Sequence, residues 1–237
     1  MAKRFILSVV LALCILFIYP NMVYAETKNT SEFSISVTYK QTEARSMLDS
    51  INAFRQDGNM AWYWNENNSK KIYCSNLKTL VYDYDLEKAA MQRAAELVVK
   101  FDHQRPNGTY FSELIDGYSS GGENIACGQR TSEEVFVDWR EDDDNYAGQG
   151  HRRNMLDGDF NRVGIACAEY RGVRFWVQIF GTTSKQAANG TTANNSSTQV
   201  TIQVLESDIS DRGFNFNTDT IMLMLNVHMQ SLIPIKH

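Results

Sequence analysis

His103 and His151 are two of only four histidines in the chain. Both lie in segments rich in turn formers and paired charges: His103-Gln104-Arg105-Pro106-Asn107-Gly108 and Gly150-His151-Arg152-Arg153-Asn154-Met155-Leu156. Gly122-Glu123-Asn124-Ile125-Ala126 lies between them in sequence. Two neutral imidazoles can hold a Zn²⁺-like ion at about 2.0 to 2.1 Å. A neighbouring carboxylate can ligate the ion, orient an imidazole through its other nitrogen, or take a proton from bound water. A fold that gathers these residues therefore makes a cleft suited to a divalent metal or to proton transfer. The same residues also have purely structural readings. His103 can hydrogen-bond a turn, His151 can cap the segment that follows it, and Glu123 can pair with Arg152 or Arg153.

Several chemistries are excluded at this level. There is no His-Glu-x-x-His helix, no Gly-x-Ser-x-Gly elbow and no glycine-rich phosphate loop. The acidic run at 141–144 lacks the glycine and the spaced oxygens of a calcium loop and reads as a solvated surface. A formal net charge of −5 argues against nucleic acid as a partner, because displacing counterions from phosphate needs a basic surface. The 237 residues, 43% hydrophobic and 22% charged, suffice for one well-cored domain with appendages.

Residues 1–25 read as a cleaved signal peptide. Lys3 and Arg4 precede an apolar run to Tyr19, Pro20 breaks it, and Val23-Tyr24-Ala25 places small residues where a signal peptidase reads. A run of about 15 apolar residues is short for a span of about 20, so no transmembrane segment is expected after cleavage. Export leaves Cys74, Cys127 and Cys167, an odd number in an oxidising compartment. Cys127 ends Ile125-Ala126-Cys127 and Cys167 ends the similar Ile165-Ala166-Cys167, so adjacent strands are expected to link Cys127 to Cys167 and leave Cys74 unpaired.

The elements that must position these groups follow from periodicity. Residues 26–42 are polar and β-prone and read as a spacer. Ala44, Met47, Leu48, Ile51 and Phe54 recur at helical spacing, with Asp57-Gly58 as the exit. Residues 60–75 read as an irregular loop with one short strand. Residues 80–100 form the strongest helical pattern, with an apolar stripe through Leu86, Ala90, Ala94 and Leu97 and Asp83 or Asp85 as cap. A third helix is expected over 132–139, with Val135, Phe136 and Trp139 facing inward. Residues 163–170 and 173–180 read as a hairpin turned by Arg171-Gly172. Helices mixed with antiparallel strands give an α+β fold. Residues 183–199 read as a Ser/Thr/Asn-rich linker and 200–237 as a short C-terminal appendage.

His103-Gln-Arg-Pro-Asn-Gly, Gly122-Glu-Asn-Ile-Ala, Gly150-His-Arg-Arg-Asn-Met-Leu, Val163-Gly-Ile-Ala-Cys and Phe175-Trp-Val-Gln-Ile-Phe-Gly occur in this order. Over residues 43–182 they resemble the bacterial branch of the CAP superfamily, the cysteine-rich secretory, antigen 5 and pathogenesis-related type proteins. The resemblance implies an α-β-α sandwich, with a small antiparallel sheet between helical layers, and an open cleft lined by two histidines and two acidic residues. Three of these fall on His103, Glu123 and His151. The fourth, a glutamate three residues after a helix tryptophan in the family, falls on Asp142 after Trp139. This chain departs from the pattern there, and Glu141 next to Asp142 leaves open which carboxylate faces the cleft.

Two functions from different classes fit. The reading favoured by the sequence is a secreted, non-enzymatic module that binds an extracellular ligand, protein or lipid in the cleft, with any Zn²⁺ or other divalent metal on His103 and His151. The alternative is a metal-dependent, peptidase-like hydrolase with Glu123 as general base on a bound water. Lipid or sterol binding, implied by some members of the family, is a weaker third reading, and no apolar pocket is evident for it.

Overall fold

A computed structural model describes residues 29–190 and 192–210. The expected signal peptide and most of the C-terminal appendage lie outside the described residues. In chain order the elements are β1 (Thr30–Lys40), α1 (Gln41–Gln56), β2 (Trp62–Trp64), β3 (Lys71–Tyr73), β4 (Val81–Tyr82) and α2 (Tyr84–Val99). There follow β5 (Ser120–Cys127), α3 (Ser132–Arg140), α4 (Gly150–Leu156), β6 (Arg162–Tyr170), β7 (Val173–Thr182), β8 (Asn195–Leu205) and α5 (Glu206–Ser210).

The central sheet runs β5-β7-β6-β1-β8, with β4 added in parallel to β6. Its heart is the β6–β7 hairpin, whose turn residues Arg171 and Gly172 both take positive φ, 50° and 82°. That pair of left-handed residues is what a tight two-residue hairpin with native twist requires. Both faces of this hairpin are covered, which explains its nearly unbroken apolar sequence. Ala166, Ala168, Phe175, Val177 and Ile179 pack on one side with Leu86, Ala90, Ala94 and Leu97 of α2. Val163, Ile165, Cys167, Trp176 and Phe180 pack on the other with α1, α3 and α4 through Met47, Ile51, Trp139 and Met155. The result is the α-β-α sandwich, one core layer on each face of the sheet.

The helices form where their apolar stripes meet the sheet. On α1, Ala44, Met47, Ile51 and Phe54 are buried at spacings of three and four. The Asp83 carboxylate caps α2 by accepting from Asp85 N at 2.9 Å. The helix therefore starts at Tyr84, because Val81–Tyr82 is held by pairing with β6 instead. Gly164 is where α2 comes closest to the sheet: a Cβ there would lie 2.1 Å from Glu87 N and 2.2 Å from the carbonyl carbon of Leu86. Neither is a movable side chain, so glycine is required by contact rather than by backbone conformation.

Three expectations differ from the structure. The first concerns residues 26–42, expected as a spacer, where Thr30–Lys40 is instead strand β1, paired with β8 from Thr30↔Leu205 to Lys40↔Asn195. Phe33, Ile35, Val37 and Tyr39 are an alternating apolar set, and Ile35 and Val37 pack with Ile202 and Val204 in the core. β8 accordingly begins inside the stretch expected as linker. The second concerns residues 60–75, which contain a two-stranded ribbon, Trp62↔Tyr73 to Trp64↔Lys71, rather than one strand.

The third difference concerns the disulfide. Cys74, Cys127 and Cys167 are all free thiols. β7 lies between β5 and β6, so Cys127 and Cys167 are two strand spacings apart, about 10 Å. A bridge needs Cα atoms within about 7 Å. Cys127 is opposite Phe175 and Cys167 opposite Trp176, neighbours on β7, so the two thiols also face opposite sides of the sheet. Burial pushes the Cys167 thiol well above its ordinary pKa, leaving it unreactive.

Mass mapping of the unreduced protein is expected to return Cys127 and Cys167 as unlinked thiols; a peptide joining them would contradict this strand order. Gly164→Ala should cost about 3 kcal/mol in urea unfolding, because α2 must be pushed off the sheet. A loss below about 0.5 kcal/mol would show that the close approach is not real.

Candidate functional site

Arg93 of α2 is the buried root of the site. Its side chain has no exposed surface, and its Nε donates to Glu123 Oε1 at 2.6 Å, with Nη2 reaching Oε2 at 3.3 Å. Nη2 also donates to the carbonyl of Asp102 at 2.7 Å, and Nη1 to Glu96 Oε2 at 3.2 Å. Glu96 in turn holds Arg105 at 2.8 Å. One guanidinium thereby fixes the carboxylate on β5 and the backbone just before His103. Burial opposes the Arg93 charge, but its hydrogen bonds and ion pairs with Glu123 and Glu96 outweigh that and raise its pKa.

Glu123 also accepts from His103 Nδ1 at 2.8 Å. A carboxylate ion can only accept, so in the neutral ring the proton sits on Nδ1 and Nε2 carries the lone pair. Neither Arg152 nor Arg153 pairs with Glu123; Arg152 pairs with Asp142 instead.

His151 is held in the same manner by a different acid. Its Nδ1 hydrogen-bonds Glu141 Oε1, while Glu141 Oε2 accepts from the backbone N–H of Arg152 at 3.1 Å. Asp142, to which the spacing from Trp139 pointed, sits elsewhere: it binds Arg152 Nη1 and Arg140 Nη2, both at 2.7 Å. The physical reason is local. Counting three from Trp139 assumes a continuing helix, yet α3 ends at Arg140 and Glu141 takes the left-handed conformation, φ 49° and ψ 45°. That reversal turns Glu141 toward the cleft and sends Asp142 to the arginines. Non-glycine residues in this region carry about 1–2 kcal/mol of steric cost, here held by hydrogen bonds at both carboxylate oxygens.

A polar chain locks α4, which carries His151, onto β5, which carries Glu123. Asn154 Nδ2 donates to Asn124 Oδ1 at 2.8 Å and to the Glu123 carbonyl at 3.2 Å. Asn124 Nδ2 donates to Gln178 Oε1 at 2.8 Å and to the His151 carbonyl at 3.2 Å. Trp139, buried beneath, lies with its ring 6.1 Å from that of His151.

His103, Glu123, Glu141 and His151 thus line one open cavity of about 550 Å³. Asn154, Arg153 and Asp157 complete its polar wall. Both imidazoles offer Nε2 without a protein partner among the described residues, each ring oriented by a carboxylate through Nδ1. Metal-ligating histidines are held in the same way, by a carboxylate on the other ring nitrogen, and the arrangement serves equally to accept a proton or a ligand N–H. Among the described residues no group of three or more His, Cys, Asp or Glu is gathered for an ion. The sequence reading missed Arg93, Asn124, Asn154 and Gln178. The two asparagines stood in the quoted motifs, whereas Arg93 sits inside a helical stripe with no local signal.

Replacing Arg93 by methionine is expected to destabilise the fold by about 3–5 kcal/mol, since it strands the Glu123 carboxylate in the core. Urea unfolding that shifts by less than about 1 kcal/mol would contradict the burial of this pair.

Comparison with known proteins bears on the same residues. The family model for CAP, the cysteine-rich secretory protein family, matches residues 48–180, more than half of the chain and all four cleft residues. The uncharacterized protein YkwD of Bacillus subtilis (strain 168) is 30% identical over 162 residues, 66% of this chain and 58% of its own length. The chain therefore spans less than two thirds of that curated relative. Among solved structures, an extracellular SCP-domain protein from Bacillus anthracis str. Ames is similar at 19% identity and TM-score 0.45, over 61% of this chain and 41% of that one. NaASP2 with Zn²⁺ is similar at 18% identity and TM-score 0.45, over 63% and 88%. With the family match running from within α1 to near the end of β7, over more than half of the chain, the chain belongs to the CAP, or cysteine-rich secretory protein, family.

Proposed function

We propose that this protein is a secreted CAP-domain binding module, and that His103, Glu123, Glu141 and His151 form the floor of its ligand cleft. The observation that carries the reading is the pair of carboxylate-oriented imidazoles on one open cavity, each with its Nε2 unpartnered among the described residues. Two fixed acceptors on a polar wall recognise ligand N–H and O–H groups without any covalent chemistry. Export rests on the signal-like residues 1–25 of the sequence.

A divalent metal such as Zn²⁺ fits the donors to a limited degree. His103 Nε2 and His151 Nε2 would be its protein ligands, with Glu123 and Glu141 as their supporting carboxylates and water or ligand oxygen filling the remaining positions. When bound, such an ion supplies Lewis-acid attraction for a ligand oxygen. The hydrolase alternative is less well supported, because both oxygens of Glu123 are engaged by Arg93 and His103 and the side chain is almost wholly buried. A base needs a lone pair facing the reacting water. Lipid or sterol binding in this cleft is weaker still: Ala147 is the largest aliphatic side chain on its wall.

Isothermal titration of Zn²⁺ should give at least tenfold weaker binding for His103→Ala, about 1.4 kcal/mol. Identical isotherms would remove the metal and leave the binding cleft. Glu141→Gln should weaken binding in the cleft more than Asp142→Asn does; the reverse order would return the fourth cleft position to Asp142. Capture of ligands from external medium should succeed with wild type and fail with the His103/His151 double alanine variant. Equal capture would place the function outside the cleft.

A further inference from the structure

Helix α4 is a ridge with a cavity on each side. Gly150, His151 and Asn154 face the cleft just described, while Leu156 lines a second cavity of about 420 Å³. Arg153 and Asp157, one helical turn apart on the crest, line both. The wall of the second cavity is different in kind: Tyr63, Tyr73 and Tyr146, with Ile72, Leu77 and Leu156, and Cys74 at its side. Tyr73 is 56% exposed, a large aromatic face left in solvent.

The crest residues are poised for polar recognition. Arg153 stacks on Tyr146 with its guanidinium carbon 4.0 Å from the ring centroid. Its Nε donates to the Gln149 carbonyl at 3.3 Å, and its two Nη groups have no partner among the described residues. Asp157 uses Oδ1 for the N–H of Asp159 at 2.8 Å and keeps Oδ2 free in the same sense. A rigid donor and an acceptor side by side match the C=O and N–H of an amide chain.

We propose that the two cavities form one groove that binds an extended peptide, with Arg153 and Asp157 holding its backbone at the crest and an aromatic or branched aliphatic side chain seated among the three tyrosines. The inference rests on the cleft being a binding site and extends it by a second subsite. A peptide is favoured over a glycan because Ile72, Leu77 and Leu156 form an aliphatic wall that would leave sugar hydroxyls without partners, whereas an apolar side chain is buried against it with gain. The cavity volume exceeds that of one large side chain, so the subsite has room to seat the residue.

The test is selection of the full chain against a synthetic hexapeptide library, with an oligosaccharide array as the second arm. Selected peptides are expected to share an aromatic or branched aliphatic residue at one fixed position. Arg153→Gln and Tyr73→Ala should each weaken the best of them about tenfold. Tyr73 is exposed enough that its loss leaves the fold intact. Saturating peptide should also slow maleimide alkylation of Cys74, mapped by mass spectrometry, which a purely structural role for Arg153 would not change. Three results overturn the proposal: no selected peptide, glycans captured instead, or selected peptides that bind both variants normally and leave Cys74 unprotected. Loss in the His103/His151 double alanine variant alone would keep the cleft and remove the second subsite. Loss in Tyr73→Ala with normal binding in the double alanine variant would remove the cleft and keep the subsite.

Discussion

Arg93 reaches three parts of the chain from a position with no solvent. It holds Glu123 on β5, Glu96 on its own helix, and the carbonyl of Asp102 at the start of the His103 segment. Each carboxylate then passes the constraint on, Glu123 to the His103 ring and Glu96 to Arg105. Such a buried ionic chain adds little net stability over a well-packed apolar equivalent, but removal of one member leaves uncompensated charge. Its value here is positional: it fixes where a histidine from a loop stands relative to a strand.

The second half of the site uses a different device for the same end. His151 rides on a short helix that would not be stable alone. It is pinned by the buried amides of Asn124 and Gln178 and the half-buried one of Asn154, which satisfy one another across β5, β7 and α4. Glu141 completes the arrangement by leaving helix geometry, so that one carboxylate both caps α4 and orients the imidazole. The sheet makes this possible because both of its faces are packed, the α2 layer carrying Arg93 and the α1, α3 and α4 layer carrying His151.

The sequence displayed the α1, α2 and α3 stripes and the β6–β7 hairpin because amphipathic period and turn chemistry are local properties. It concealed β1 and the start of β8, since polar, Ser/Thr-rich strands resemble linker until their eleven-residue pairing is known. Strand order is non-local too, and the interposed β7 is why two similar Ile-Ala-Cys segments do not bring their thiols together. His103, Glu123 and His151 stood out by type and motif. Glu141 could not be separated from Asp142, because the choice depends on a helix ending at Arg140, before the spacing argument assumes. Arg93 lay unmarked among the apolar residues of α2.

The binding cleft depends on both imidazoles donating from Nδ1 to a carboxylate and presenting a bare Nε2 to the cavity. Long-range ¹H–¹⁵N correlation spectra of the neutral histidines measure this directly. His103 and His151 are expected to be both Nδ1–H tautomers, with the Nε2 nitrogens resonating as unprotonated, and Glu123→Gln is expected to disturb only His103. Protonated Nε2 signals, or a fast mixture of tautomers in the wild-type protein, would contradict this arrangement.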